Sequence, residues 1–201
     1  MARKIFITGI DTNVGKTVVA AVLTQALKTD YWKPIQTGAE HDTPTVQKLI
    51  SNSITKFHKE AYCLKEPLSP HAAAKLENKQ IDFDSIQLPK TENNLIIEGA
   101  GGLLVPLNEK YFVIDLIQKF DAEVILVVKH YLGSINHTML SIEALRHRNI
   151  NLLGVIINGE ENKLSEEIIL QAGVRILGRV EQEQNLTQKT IQKYKSVFST
   201  I

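Results

Sequence analysis

The sequence predicts an α/β fold, with a mostly parallel sheet flanked by helices. Short apolar runs typical of buried strands alternate with segments whose apolar residues recur at helical spacing. This alternation favours a parallel sheet whose strands are connected by helices. The length of 201 residues is close to that of one domain, at roughly 150 residues per domain, and no repeat or linker divides the chain. We therefore expect a single domain over residues 1–201.

The predicted strands are short apolar runs that end at turn residues, and the run at 124–128 is typical of a strand buried on both faces. In chain order, the strands are expected at residues 5–8, 95–98, 124–128, 152–157 and 176–177. The predicted helices have apolar residues three or four positions apart. In chain order, they are expected at residues 16–27, 45–50, 136–146, 164–171 and 186–197.

Two segments are less regular. The segment at residues 31–37 is brief and contains Pro34, which predicts a short or edge-like strand. Residues 57–90 are interrupted by prolines and predict only one short helix, at 70–76. Both segments lie between more regular elements, so they do not change the predicted fold class.

The composition argues against several classes of function. The 23 Lys and Arg residues and the 22 Asp and Glu residues give a net charge of +1. The chain therefore lacks the excess of basic residues that would predict binding to nucleic acid or an anionic membrane. The one cysteine, Cys63, excludes an intrachain disulfide. No apolar run reaches the ~18 residues of a membrane span, and the N-terminal run is too short for a signal peptide. We expect a cytoplasmic protein that binds neither nucleic acid nor a membrane.

The strongest local signal is a phosphate-binding loop at residues 9–17, between the first predicted strand and the first predicted helix. In such a loop Gly15 allows close backbone approach, Lys16 reaches the outer phosphates and the Thr17 hydroxyl can bind Mg²⁺. The usual spacing places the first glycine at position 10, whereas this chain has Gly9, one residue earlier. The alternative is a strand-to-helix turn that contains Gly-Lys-Thr without binding a nucleotide.

Three charged residues are further candidates for the same edge of the sheet. Glu98 follows an apolar strand and precedes four small residues, where a carboxylate could hold Mg²⁺; the alternative is a solvent-exposed residue at a strand end. Asp42 could supply a second carboxylate, or it could be an ordinary loop residue. Lys33 would add a second cation near the phosphates, although most lysines lie on the surface.

At these positions the chain resembles the dethiobiotin synthase family. The resemblance extends from about residue 5 to residue 158, and the one-residue shift of Gly9 is itself the spacing of that family. It rests on five motifs in this order: Gly9-x-Asp11-Thr12-x-Val14-Gly15-Lys16-Thr17, Lys33-Pro34-x-x-Thr37-Gly38, Ser69-Pro70-His71, Glu98-Gly99-Ala100-Gly101-Gly102 and Leu132-Gly133-x-Ile135-Asn136-His137.

The resemblance implies a P-loop NTPase-type fold and a ligase of biotin biosynthesis. Family members use ATP and Mg²⁺ to carboxylate 7,8-diaminopelargonate with CO₂ and close its ring, giving dethiobiotin, ADP and phosphate. The reaction proceeds through a carbamate and a carbamic–phosphoric anhydride. The resemblance also implies a homodimer in which a segment of one subunit helps to hold the substrate carboxylate of the other.

The resemblance implies a role for each matching residue. The catalytic cations are Lys33 and Lys16. The metal ligands are Thr17, Asp42 and Glu98. Substrate is bound by Thr37, Gly133, Ser134 and Asn136. ATP is bound by Asn13, Val14, Gly15, Lys16, Thr17, Val18, Glu98, Gly99, Ala100, Gly101 and Asn158. Three places depart from the family: Asn13 replaces a glutamate of some members, Tyr131 replaces a lysine of some members, and residues 178–181 lack the proline of a frequent Gly-x-x-Pro stretch. The interval from Lys33 to Asp42 is also short.

Three other interpretations remain open. A dimeric P-loop ATPase switch of the plasmid-partition type would carry a second lysine six residues before Thr17, where this chain has Asp11. An amidoligase of the cobyrinate type would require an added glutamine-hydrolysing domain with a cysteine nucleophile. An inactive nucleotide-binding module would not need Lys33, Thr37 and Glu98 together.

Overall fold

The computed structural model describes residues 2–201, which form nine strands and eight helices. The strands are β1 (Lys4–Gly9), β2 (Asp30–Trp32), β3 (Ile35–Thr37), β4 (Phe57–His58), β5 (Tyr62–Leu64), β6 (Leu95–Gly102), β7 (Glu123–Val128), β8 (Leu152–Asn158) and β9 (Ile176–Val180). The helices are α1 (Lys16–Leu27), α2 (Asp42–Leu49), α3 (Pro70–Leu76), α4 (Val113–Phe120), α5 (Ser134–His147), α6 (Lys163–Gln171), α7 (Gln188–Lys193) and α8 (Lys195–Phe198).

Seven strands form one parallel sheet, in the order β4-β2-β6-β1-β7-β8-β9. Strands β3 and β5 form a separate parallel pair. The predicted α/β fold with a mostly parallel, helix-flanked sheet is therefore confirmed. Since the strands are parallel, the loops that follow β1, β2 and β6 all meet at one edge of the sheet.

The two faces of the sheet carry separate apolar cores. Successive side chains of a strand point to opposite faces, so Ile5 and Ile7 of β1 pack with α1 while Phe6 packs on the other side with α4. The same alternation separates Tyr31 from Trp32 in β2. All five side chains are at most 2% exposed. Full burial of an aliphatic or aromatic side chain contributes about 1.5–3 kcal/mol, so this central region holds the sheet edge firmly in place.

The segment predicted as one short or edge-like strand at 31–37 is two strands in different sheets. Pro34 has no N–H to donate, so the ladder of β2 stops before it and the chain turns away into β3. The carbonyl of Pro34 accepts hydrogen bonds from the N–H groups of Ala61 and Tyr62 instead. The edge-like assignment is wrong for β2, because β4 and β6 flank it on both sides.

Helix α2 begins at Asp42, three residues before the predicted start. Pro44 occupies its first turn, where a helix has no intrahelical partner for the N–H that proline lacks. The predicted C-terminal helix at 186–197 is also changed, since it is interrupted at Tyr194 and forms α7 and α8. The earlier start of α2 matters for the site, because it places Asp42 at a helix N-terminus rather than in a loop.

Helix α4 has no counterpart in the sequence predictions. It is only eight residues long, yet five of its side chains are buried, and the carboxylate of Asp115 accepts the backbone N–H of Phe112 at its N-terminus. An acidic side chain bonded back to the residue before the helix is a capping interaction. Strand β6 is also longer than predicted, because it continues through the glycine cluster to Gly102, which pairs with Gly9.

No helix within residues 2–201 is long and apolar enough to cross a membrane.

Candidate active site

The candidate site is a cavity of about 990 Å³ at the carboxyl edge of β1, β2 and β6. Parallel α/β sheets bind ligands at this edge, because loops from several strands converge there. Eleven residues proposed from the sequence line the cavity: Asn13, Gly15, Lys16, Thr17, Val18, Lys33, Thr37, Asp42, Glu98, Ala100 and Gly101. The structure thus brings together side chains from four separate segments of the chain.

The loop before α1 has the backbone shape of a phosphate cradle. Asn13 and Gly15 both have positive φ angles, of 59° and 89°, so the chain curls around the start of the helix. Gly15 provides no side chain to cap α1, which leaves first-turn N–H groups of the helix without a side-chain acceptor. N–H groups at a helix N-terminus are a favourable site for a phosphate.

Asn158, at the end of β8, supports this loop through a hydrogen bond. Its Nδ2 donates to the carbonyl oxygen of Val14 at 2.9 Å. A Cβ atom on Gly15 would lie only 2.0 Å from the same Nδ2, so no larger residue fits between the loop and β8. Val14 belongs to the loop and Asn158 contacts it, but these two residues and Gly99 are not among the residues that line the cavity.

Lys16 is held inside the loop rather than in solvent. Its Nζ donates to the carbonyl oxygen of Asp11 at 2.9 Å, and the side chain is buried. Burial lowers the pKa of Lys16 from 10.5 to about 8, although the negative charge of Glu98 opposes this shift. A bound polyphosphate would favour the protonated amine, so the loop is suited to a strongly anionic ligand.

Thr17 lies between two carboxylates. Its hydroxyl is 2.9 Å from Oδ1 of Asp42 and 2.9 Å from Oε1 of Glu98. Glu98 is 1% exposed and Asp42 begins α2, so the alternatives of a solvent-exposed strand end and an ordinary loop residue are both wrong. The backbone N–H of Asp42 donates to the side chain of Gln36, which fixes the position of the helix start.

These three oxygen-bearing side chains fit a magnesium ion. Carboxylates and a hydroxyl are the hard donors that Mg²⁺ prefers, and proteins often bind it through one or two carboxylates together with substrate phosphates. Within residues 2–201 there is no group of three or more His, Cys, Asp or Glu residues that could hold a metal by itself.

Lys33 completes the charged centre. Its Nζ is 2.6 Å from Oδ2 of Asp42 and 3.2 Å from Oε1 of Glu98, and it donates to the carbonyl oxygen of Gly99 at 3.3 Å. The side chain is buried, so the alternative of a surface lysine is wrong. Burial opposes the charged form, but the charges of Glu98 and Asp42 outweigh it and raise the pKa of Lys33 above its ordinary value.

Two residues of this centre were missed by the sequence reasoning. The Tyr31 hydroxyl donates to Oε2 of Glu98 at 2.7 Å. Gln36 Nε2 donates to the carbonyl oxygens of Thr37 and Glu40, which closes the loop between β3 and α2. A two-residue alternation along the strand links Tyr31 to Lys33 and is the signal that could have found the tyrosine.

Three predicted substrate-binding residues are not brought to the cavity of their own chain. Gly133, Ser134 and Asn136 lie at the start of α5, after β7, and none of them is among the residues that line the cavity. Gly133 and Asn136 are exposed, whereas Ser134 is buried. The nearby Tyr131 hydroxyl lies 2.8 Å from Nδ1 of His137.

An ion pair occupies the stretch at 178–181 that departs from the family pattern. Arg179 Nη2 donates to both carboxylate oxygens of Glu166 at 2.8 Å, and Nε2 of His130 lies 3.1 Å from one of them. Burial opposes ionisation of Glu166, but the hydrogen bond from Arg179 outweighs it and holds its pKa below the ordinary value. Arg179 also donates to the carbonyl oxygen of Gly159, the residue that follows Asn158.

Solved structures with the same fold include a ParA family ATPase from Chlorobium tepidum and a plasmid partition protein from Borrelia burgdorferi. The first has a TM-score of 0.59 at 15% identity and covers 98% of this chain and 92% of its own. The second has a TM-score of 0.60 at 14% identity, and the alignment covers 98% of this chain and 96% of that protein. At such low identity the likeness shows the fold alone. The fold, with its phosphate loop between β1 and α1, is that of a P-loop nucleoside triphosphatase.

Sequence relatives define the family within this class. An ATP-dependent dethiobiotin synthetase of Christiangramia forsetii is 49% identical over 201 residues, 98% of this chain and 97% of that protein. Another, from Cytophaga hutchinsonii, is 51% identical over 96% of this chain and 95% of that protein. A family model described as an AAA domain matches residues 3–190. The chain belongs to the ATP-dependent dethiobiotin synthetase family.

Proposed function

We propose that this protein is an ATP-dependent dethiobiotin synthetase, a ligase that carboxylates diaminopelargonate with CO₂ and closes the ureido ring. The observation that carries the proposal is the convergence of Lys33, Asp42, Glu98 and Thr17 beside a phosphate loop in one cavity. A site with only a nucleotide to bind would need the loop, but it would not need a buried second lysine in contact with both carboxylates.

ATP would bind with its phosphates along the loop. The backbone of residues 13–18 and the amine of Lys16 would neutralise the phosphate charge, while Ala100 and Gly101, which line the cavity, leave room beside it. Thr17, Asp42 and Glu98 would hold Mg²⁺, which when bound neutralises charge on the phosphates. Asn158 fixes the loop through Val14 and would contact the nucleotide base from its position at the end of β8.

The reaction joins two anions, so positive charge is its main requirement. One amine of the substrate adds to CO₂ and loses a proton, which gives a carbamate. A carbamate oxygen attacks the γ-phosphorus of ATP, ADP leaves, and a carbamic–phosphoric anhydride forms. The second amine attacks the anhydride carbon, phosphate departs with the carbamate oxygen, and the ring closes after loss of a proton.

In this reaction Lys33 would contact the carbamate and the moving phosphoryl group, since its amine lies at the junction of the metal carboxylates and the open cavity. Thr37, at the end of β3, lines the same cavity and would hold the substrate through its hydroxyl. Holding both amines beside ATP would also supply proximity for ring closure. No side chain forms a covalent intermediate in this scheme.

We propose a homodimer in which the start of α5 completes the substrate site of the partner subunit. Gly133, Ser134 and Asn136 lie outside the cavity of their own chain, and α5 begins there with an exposed turn. The exposed side chains of Leu132 and Ile135 add apolar surface beside them. An apolar surface next to a helix N-terminus suits a contact that also receives the substrate carboxylate.

Mixing two inactive variants is expected to restore activity if the site is shared. In a mixed dimer of Lys33→Ala and Asn136→Ala chains, both substitutions fall in one site and the other site is intact. Ring formation should therefore appear when the two variants are unfolded, mixed and refolded together. Each variant refolded alone is the control. Mixed dimers as inactive as the separate variants would mean that Asn136 serves its own chain.

We further propose one domain over residues 1–201 that works in the cytoplasm on small molecules, without nucleic acid or membrane partners. The net charge of +1 and the exposed, unpaired thiol of Cys63 support this setting. The partition-type switch is not favoured, because Asp11 stands where that class carries its second lysine and its carbonyl instead accepts from Lys16.

Release of ADP with each substrate omitted in turn tests the proposed function. We expect rapid release only when diaminopelargonate and bicarbonate are both present with ATP and Mg²⁺. An equal rate without them would reject the synthetase function and favour an ATPase switch.

A further inference from the structure

Tyr31 is a completely buried tyrosine whose hydroxyl faces the charged centre. Its side chain is 0% exposed, and the hydroxyl donates to Oε2 of Glu98 at 2.7 Å. Burial and the negative charge of Glu98 raise the pKa of Tyr31 well above its ordinary value, so the phenol is neutral and acts as a donor. Buried hydroxyls are usually satisfied by a backbone group, whereas this one is directed to a carboxylate of the site.

The strand geometry explains how the contact arises. β2 pairs in parallel with β6, with Tyr31 opposite Ile96 and Trp32 opposite Ile97. Side chains two residues apart share a face, so Tyr31 and Lys33 reach Glu98 together while Trp32 packs into the opposite core. The ring of Tyr31 is held by Phe57 of β4, at a centroid distance of 5.8 Å. The tyrosine is therefore fixed before any ligand binds.

The two oxygens of Glu98 have different partners. Oε1 faces the hydroxyl of Thr17 at 2.9 Å and the amine of Lys33 at 3.2 Å, at the wall of the cavity. Oε2 accepts the hydrogen bond from Tyr31 on the inner side. A hydrogen bond to one oxygen of a carboxylate fixes the direction in which the other oxygen points. Hydrogen bonds of this kind orient the side chains that bind metals in proteins.

We infer that Tyr31 is a positioning residue that orients Glu98, so that Oε1 faces the Mg²⁺ and phosphate region of the cavity. The inference rests on the proposed metal role of Glu98. Tyr31 does not line the cavity and does not touch substrate in this arrangement. It acts only through the carboxylate, and its removal should change how the metal supports nucleotide binding.

The test is Tyr31→Phe, which removes one oxygen and keeps the ring in the core. ATP affinity is measured by calorimetry with and without Mg²⁺, which gives a readout independent of turnover. We expect the Mg²⁺-dependent gain in affinity to fall about tenfold or more, since tenfold is the lower end of the range for a hydrogen bond to a charged group. Affinity without Mg²⁺ and the KM for diaminopelargonate should be unchanged, while kcat falls.

Tyr194→Phe is the matched control. Tyr194 is also buried, its hydroxyl donates to the carboxylate of Glu183, and neither residue lines the cavity. It should lower thermal stability as Tyr31→Phe does but leave the Mg²⁺-dependent gain at the wild-type value. A wild-type gain in Tyr31→Phe overturns the inference.

Glu98→Gln separates the two ways in which the inference can fail. If Glu98→Gln loses the Mg²⁺-dependent gain while Tyr31→Phe keeps it, the positioning role is wrong and the proposed metal site stands. If both variants keep the gain, the metal role of Glu98 is wrong and the positioning role falls with it.

Discussion

Replacement of Lys33 by alanine is expected to lower kcat for ring formation by about 10³-fold, the loss typical of a group that stabilises developing charge in acyl or phosphoryl transfer. Lys33 is the buried cation that contacts both Asp42 and Glu98 and lines the cavity. Without it the carbamate and the phosphoryl group would meet with less compensating charge. ATP affinity in Mg²⁺ should change little, because Lys16 and the loop backbone remain.

Lys65→Ala is the matched control, since Lys65 lies at the rim of the same cavity and is exposed. Its loss removes the same charge and should leave kcat near the wild-type value. Loss of a buried ion-pair partner costs about 3–5 kcal/mol, so thermal unfolding of Lys33→Ala is measured first to establish that the variant is folded. Equal losses of ATP binding and turnover would contradict a role at the reacting groups.

Replacement of Gly15 by alanine is expected to weaken ATP binding by roughly 30-fold or more. Alanine at a φ of 89° costs about 1–2 kcal/mol, and the new Cβ would meet Nδ2 of Asn158 at 2.0 Å. Asn158 would have to move and give up its hydrogen bond to Val14, which adds about 1 kcal/mol. Calorimetric titration with ATP measures the effect.

Gly173→Ala separates backbone strain from loss of the loop geometry. Gly173 also has a positive φ, of 72°, but its nearest neighbour to an added Cβ is an arginine nitrogen at 3.8 Å. This variant should lose stability and keep the wild-type affinity for ATP. If Gly15→Ala bound ATP as well as Gly173→Ala does, the close packing of Asn158 against the loop would not be important for the nucleotide.

Much of the fold followed from patterns that act locally along the chain. The apolar run at Ile5, Phe6 and Ile7 predicted a buried strand, and the structure divides these side chains between two cores. The phosphate loop was likewise predicted from Gly-Lys-Thr and the residues next to it in the sequence. Local periodicity and turn chemistry are sufficient for such elements.

The parts that could not be predicted depend on residues that are distant in sequence. Asp42 reaches Thr17 because Pro44 is tolerated in the first turn of α2, which starts the helix earlier than its apolar pattern does. Tyr31 was not singled out from the sequence, because only the parallel pairing of β2 with β6 places its hydroxyl at Glu98. Such contacts follow from sheet register, which a single sequence does not specify.

Helix α4 was missed for a different reason. α4 has only eight residues, so its periodic pattern spans little more than two turns and lacks the glycine or proline signals that mark helix ends. Its stability comes from five buried side chains packed on the sheet rather than from its own helical propensity. Tertiary packing of this kind is decided only once the sheet is formed.

The central claim is that a carbamate formed from CO₂ attacks ATP in this cavity. It is tested by following the oxygen atoms of bicarbonate into the released phosphate. The reaction is started with ¹⁸O-labelled bicarbonate in ordinary water and stopped before the label exchanges, and the released phosphate is analysed by mass spectrometry. The proposed reaction predicts one ¹⁸O atom in each phosphate, since the attacking carbamate oxygen leaves with it. Phosphate without ¹⁸O would mean that water attacks ATP, and the proposed reaction would be wrong.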